Sequence, residues 1–339
     1  MPQSSARRPP IVGIVAMATA VLLWASFALT LRGVGASSLT VVDLSVLRFA
    51  TPLIVLAPWI PRAIREVGAE RPATLALLLV GGLPHFLVSA LGGHLAPAAL
   101  VGLIIPGTVP LFATLLAVAT VRARVTVRQA ASVALIVSGV AAAALLMGGA
   151  VPPLGLGALL TAGFVWAVYT LGLKRSSLSL TSTVLVICAP SAAIAVALAA
   201  TGAMPSNLLA GAARPGDILL FTALQGLGTG VVSTIAYAHA VRALGGGVAA
   251  TAGALSPVVA AMMAVPLLGE PITAGLVVAM AMIVSGVLVF TAPARRRAVV
   301  RDDGCRVPHA ATQLPVPAVP APAVPAPAVP AEPRAVVAA

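Results

Sequence analysis

Little in this chain is suited to water. Only 8% of its 339 residues are charged while 60% are hydrophobic, and the mean hydropathy is +1.10; that leaves too little polar surface to coat a soluble globule of such length. Cysteine is nearly missing. Cys188 sits in an apolar run and Cys305 near the C-terminus, so neither a disulfide framework nor a metal-ligand cluster is suggested. There is no His-Glu-X-X-His metal motif and no Gly-rich phosphate loop of the P-loop kind, which argues against metallohydrolase chemistry and direct ATP drive. Ser26, Ser89, Ser233 and Ser256 have no recognisable base partner, so an intramembrane enzyme finds little support. The net charge of +12 comes without a basic stripe interleaved with aromatics, and nucleic acid is not an expected partner. No cofactor is called for.

Lipid is the remaining solvent. In hydrocarbon every backbone amide needs a partner within the protein, and continuous apolar runs without period-2 alternation select helices over a barrel. The expected fold class is therefore all-α, a polytopic membrane protein of about ten transmembrane helices. Windows of roughly 20 residues place them at Ile11–Leu31, Leu39–Ile60, Ala73–Leu95, Ala98–Val121, Val127–Met147, Leu154–Leu173, Leu180–Ala200, Ile218–Ala240, Gly246–Leu268 and Ile272–Ala292. Arg7, Arg8, Arg62, Arg65, Arg71, Arg122, Arg124, Arg128, Lys174, Arg175 and Arg242 then fall on one side of the membrane, and Arg32 and Arg214 on the other. Basic loops resist translocation, so the first group is expected to be cytoplasmic, with both termini inside the cell membrane. Membrane lipids are the expected surroundings. Trp59, between Pro58 and Arg62, fits an interfacial belt. Beyond Ala292 the chain changes to Arg295-Arg296-Arg297 and a Pro-Ala-Val repeat from Pro315 to Pro330. Such a tail packs no core and reads as polyproline II or disorder, its basic cluster facing anionic headgroups.

The chain also repeats itself. Ile136-Val137-Ser138-Gly139-Val140 returns unchanged as Ile283-Val284-Ser285-Gly286-Val287, and the same alignment brings Pro110 onto Pro257 and Thr126 onto Thr273 without gaps. Trp24-Ala25 answers Trp166-Ala167. An odd number of spans per half inverts the second copy relative to the first. The division read from this is residues 1–10 as a cytoplasmic N-terminus, 11–149 and 150–292 as two five-helix repeats, and 293–339 as the tail.

Trp24-Ala25-Ser26, Leu47-Arg48-Phe49, Trp166-Ala167 with Tyr169, and the stretch from Ser256-Pro257 to Leu268-Gly269-Glu270-Pro271-Ile272-Thr273 together resemble the drug/metabolite transporter superfamily, in particular its EamA-like branch of paired five-helix repeats. In the first half Ala123 stands where that pattern usually has an acid. The resemblance implies movement of small organic metabolites by alternating access between two inverted halves, with efflux the expected direction. A non-transporting scaffold or receptor is the rival reading, because helix packing alone could account for the Gly-rich helices. A homodimer is left open.

Matching interruptions in two halves are the best sequence pointer to a transporter's site. The third helix carries Gly81-Gly82-Leu83-Pro84-His85-Phe86 and the eighth Gln225-Gly226-Leu227-Gly228-Thr229-Gly230. His85 and Gln225 are thus the first candidates for substrate contact, weighed against plain interhelical hydrogen bonding. Arg48, costly near a helix centre at roughly 2.5 to 3.5 kcal/mol, needs a partner. Asp43 lies five residues away on the same helix and is expected to point elsewhere, so a clamp onto backbone carbonyls is expected, with contact to an anionic substrate second. Trp24, Trp166, Tyr169 and Tyr237 are candidates for an aromatic cavity, or for core packing. His94 and His239, near opposite helix ends, are candidate gates or interfacial histidines. Glu270, before Pro271, is expected to cap the tenth helix, with a part in proton coupling as the alternative; Asp43 is likewise a candidate for coupling.

Overall fold

The computed structural model describes residues 11–147 and 151–292. The expected N-terminus 1–10, the tail 293–339 and Cys305 lie outside the described residues. Among these residues there are helices and no strands. Among the described residues nine helices are long and apolar enough to cross a membrane, or ten when the bent pair Val41–Val55 with Ala57–Gly68 is counted as one span. The protein is an all-α, multi-pass membrane protein. Its spans are here called first to tenth: Ile11–Gly33, Val41–Val55, Pro72–Leu95, Ala98–Val121, Val127–Leu146, Pro153–Arg175, Leu180–Ala200, Pro215–Leu244, Gly246–Leu268 and Ala274–Thr291.

The second span departs from its expected course to Ile60. Its straight part ends at Val55, and the chain turns by 64° into the short helix Ile60–Gly68. Pro58 and Pro61 supply no amide proton to continue the ladder, which is why the run breaks there. Trp59 stands at the bend with 45% of its surface exposed. Ile60 and Ile64 project outward on the same helix as Arg62 and Arg65, the make-up of a segment lying along a membrane surface.

The halves meet helix against helix. The first span packs on the eighth and the third on the sixth, while the second packs on the seventh, the fourth on the ninth and the fifth on the tenth. Exchanging each span with the one five places along leaves this set of pairs unchanged. The repeated pentapeptide forms the fifth-to-tenth contact. A Cβ on Gly139 would come within 2.6 Å of Ile283, and one on Gly286 within 2.7 Å of Ile136. Ile136 and Ile283 are fully buried, and Ser132 Oγ donates to the carbonyl of Gly286 at 2.7 Å. Close backbone approach through small residues is how helices associate where no hydrophobic force separates them from lipid.

The correspondence extends to helix ends. The fourth span closes on Arg122 and the ninth on Gly269, both left-handed, at φ 50° and 66°. Each closure is followed by an N–H bonded six residues back, Ala123 to Ala117 and Glu270 to Ala264, both at 3.3 Å. Thr126 and Thr273 then cap the fifth and tenth spans through their side chains.

Candidate substrate site

Both helices singled out for their glycines are widened where expected. In the third span the chain turns at Val80–Gly82, and the amide of His85 reaches back five residues to the carbonyl of Val80 at 3.2 Å. In the eighth, Thr222–Val232 is a π-helix that contains Gln225. Such wide turns leave backbone and side chains in positions a regular helix does not offer, and they recur at functional sites. The glycines also allow close contact. A Cβ on Gly81 would strike Tyr169, and one on Gly82 the hydroxyl of Ser191, which instead accepts the Leu83 amide at 3.0 Å. On Gly226 it would strike Thr51 and the carbonyl of Leu47. Packing and distortion thus coincide in the same turns.

Gln225 is fully buried and uses both ends of its amide. Its Oε1 accepts from Arg48 Nη1 at 2.6 Å, and its Nε2 donates to Thr30 Oγ1 and, at 3.4 Å, to the carbonyl of Phe27. The partner of Arg48 is therefore a side-chain amide from the other half of the chain rather than the backbone carbonyls expected from sequence. The reason is the wide turn, which brings a polar side chain to the guanidinium. Three rings surround that cation: its carbon lies 5.0 Å from the centre of Phe27, 5.4 Å from Phe86 and 5.8 Å from Phe49. Aromatic faces attract a cation, more strongly where water is scarce.

His85, 3% exposed, lies between Phe27, stacked at 6.5 Å, and Trp166, edge-on at 4.9 Å. Its Nε2 is 3.4 Å from Ser89 Oγ. Trp166 in turn meets Tyr169 at 6.0 Å. One group thus gathers Arg48, Gln225, His85, Trp166 and Tyr169. The expected aromatic set divides here, because Trp24 pairs with Tyr237 at 5.0 Å in a separate cluster with Met17, Val21 and Ala249. Phe27, Phe49, Phe86 and Thr30 complete the first group and were not singled out from sequence. The signal for two of them was adjacency: Phe49 follows Arg48, and Phe86 follows His85.

The remaining candidates sit at the ends. His94 and His239 have exposed side chains. Asp43 is buried; its carboxylate completes a capping box with Thr40 and accepts from Ser206 Oγ at 2.5 Å and the amide of Asn207 at 3.0 Å. Glu270 does not cap the tenth span, as Thr273 already does so. It binds Arg32 Nε at 2.9 Å and accepts the Ala98 amide, at the start of the fourth span, at 2.8 Å. That amide is an orphan donor of a helix start, whereas the Leu276 amide in the first turn of the tenth span has a partner of its own in the Thr273 side chain. A cavity of about 250 Å³ lies beside this contact, lined by Arg32, Pro97, Ala261, Glu270 and Leu276 among others.

These contacts follow one rule. Each of the five carboxylates among the described residues ties the first half of the chain to the second. At the Arg32 end Asp43 holds 206–208, Asp217 accepts Ser38 N and Oγ at 2.8 and 2.6 Å, and Glu270 holds Arg32 and Ala98. At the Arg71 end Glu66 accepts the Ser179 amide at 2.8 Å, and Glu70 accepts the Ser177 amide at 2.7 Å and the hydroxyls of Ser176 and Ser177. Glu66 and Glu70 were not among the sequence candidates. Hydrogen bonds from the Ser177 and Arg71 amides hold the Glu70 carboxyl below its ordinary range. What this adds to stability is present above the usual carboxylate pKa and fades only as pH falls through the depressed value.

Residues 153–292 match the model of the EamA-like transporter family. A solved structure titled "Crystal structure of protein" has the same fold, with a TM-score of 0.55 and 20% identity over 86% of this chain and 100% of that one. No curated protein matches. The matched segment runs from the sixth span to the tenth and includes Trp166, Gln225 and the Gly269-Glu270-Pro271 turn, so the likeness to the EamA-like transporter family covers the second half of the chain.

Proposed function

We propose that this protein is a secondary transporter that moves small organic metabolites or drug-like solutes across the cytoplasmic membrane by alternating access. Its two five-helix halves are inverted relative to each other, both termini are cytoplasmic, and export is the expected direction. The observation that carries the reading is the joining of Arg48, from the first half, to Gln225, on the π-helix of the second, beside His85 at the matching wide turn of the third span. A polar group held between two halves at mid-span is where a solute would be bound and passed. The carboxylate ties at both ends are the contacts that would open in turn. The likeness of residues 153–292 to a transporter family supports transport over catalysis.

Solute flux measured in proteoliposomes tests the proposal. His85→Ala and Gln225→Ala are expected to impair uptake while leaving membrane insertion intact. If a broad solute panel shows no movement through the unaltered protein, the scaffold reading replaces this one.

A further inference from the structure

The charge of Arg48 is unanswered. Among the described residues ion pairs join Arg32 to Glu270, Arg62 to Glu66 and Arg214 to Asp217, and none reaches Arg48. The other two carboxylates, Asp43 and Glu70, are held by backbone amides and hydroxyls at the ends of the bundle. Arg48 spends one donor on Gln225, through Nη1. No buried side-chain nitrogen or oxygen among the described residues lacks a hydrogen-bond partner, yet Nε and Nη2 of Arg48 have none. Those atoms therefore keep contact with open space. The guanidinium lies among Phe27 of the first span, Phe86 of the third and Gln225 of the eighth as well as its own helix. Trp166 and Tyr169, joined to the group through His85, are both partly exposed.

A guanidinium presents its donors as a planar fork that matches a carboxylate in two parallel bonds. An arginine without an acid at mid-span is costly, and a charge-complementary solute would remove that cost each time it bound. From the open donors of Arg48 and the rings beside them we infer that the transported solute is an organic anion, a carboxylate on an apolar or aromatic body, with the carboxylate on Arg48 Nε and Nη2 and the body against Phe27 and Trp166. Gln225 is the positioning residue that fixes the fork. This rests on the transport reading above and adds the substrate class.

The test is uptake into proteoliposomes of three matched series: benzoate, benzamide and benzylamine; 3-phenylpropionate, its amide and its amine; hexanoate, its amide and its amine. Carboxylates are expected to enter, and to enter better than the amides and amines of the same skeleton. Arg48→Gln is expected to lower carboxylate uptake about 10- to 100-fold, the loss of a charge-assisted pair, with partial recovery in Arg48→Lys. Entry of amides or amines while carboxylates stay outside overturns the anion assignment and leaves transport standing. Movement of no compound overturns both. Since the three series are compared on unaltered protein, the outcome holds even where an Arg48 variant does not fold.

Discussion

Gln225 and Arg48 stabilise each other in a way that can be separated from what either does for a solute. Truncating Gln225 to Leu leaves a guanidinium and Thr30 without their amide, and an unpaired polar group in such surroundings costs about 1 to 3 kcal/mol. Replacing both members with apolar residues of similar size, Gln225→Leu with Arg48→Met, removes the need along with the partner. The double variant is expected to be more stable than the sum of the two single losses predicts, with a coupling of about 1 to 3 kcal/mol, read by denaturant titration in detergent. Additive losses would mean the contact contributes nothing. The need for a partner at Arg48 was legible in the sequence; which partner was not, because 177 residues separate it from Gln225 and only the path of the eighth span brings them together. Glu270 failed for a related reason. Pro271 makes the next helix look like its target, but Thr273 serves that helix, and the amide in want of an acceptor belongs to Ala98.

The helices were the most readable level. Uninterrupted apolar runs locate ten spans closely, and the Gly-rich turns of the third and eighth mark where both widen, since glycine removes the Cβ that would otherwise meet Tyr169, Ser191 or Thr51. The bend after Val55 was less visible, because the apolar stretch runs on through Pro58 to Ile60 and composition alone does not register the missing amide protons. Helix ends also show where the two copies have diverged. Arg122 occupies the left-handed closing position that Gly269 takes in the second copy, and a side chain there costs about 1 to 2 kcal/mol. Arg122→Gly is expected to stabilise the fourth span by about 1 kcal/mol, seen as a higher melting temperature, and Gly269→Ala to lower it by a similar amount. Unchanged melting in both variants would show that neither closure is strained.

At the scale of the whole bundle, the five carboxylates among the described residues lie at the two ends and not in the middle. Sequence shows that acids are few but not that each joins one half to the other, since a carboxylate that accepts backbone amides leaves no motif behind. If the ends open in turn, fixing either must stop flux. A cysteine pair at Glu70 and Ser177, in a background with Cys305→Ser, and a second pair at Ser38 and Asp217 are each expected to arrest uptake when bridged by a short thiol-reactive linker that reductant cleaves, and to release it on reduction. Continued flux with either end bridged would exclude alternating access.

The seam of Ile136, Gly139, Ile283 and Gly286 bears on how such a motion would be biased. In these four residues each half offers the other the same ridge and the same notch, but the bond from Ser132 to the Gly286 carbonyl has no counterpart, because Ala279 stands at the matching place opposite Gly139. A lean toward one face of the bilayer and the mirror lean toward the other would load the ridges and notches equally, as a fulcrum with a single one-sided latch. The mouths are unequal too, three carboxylates fastening one and two the other, so a tendency to face one compartment has two sources in the fold.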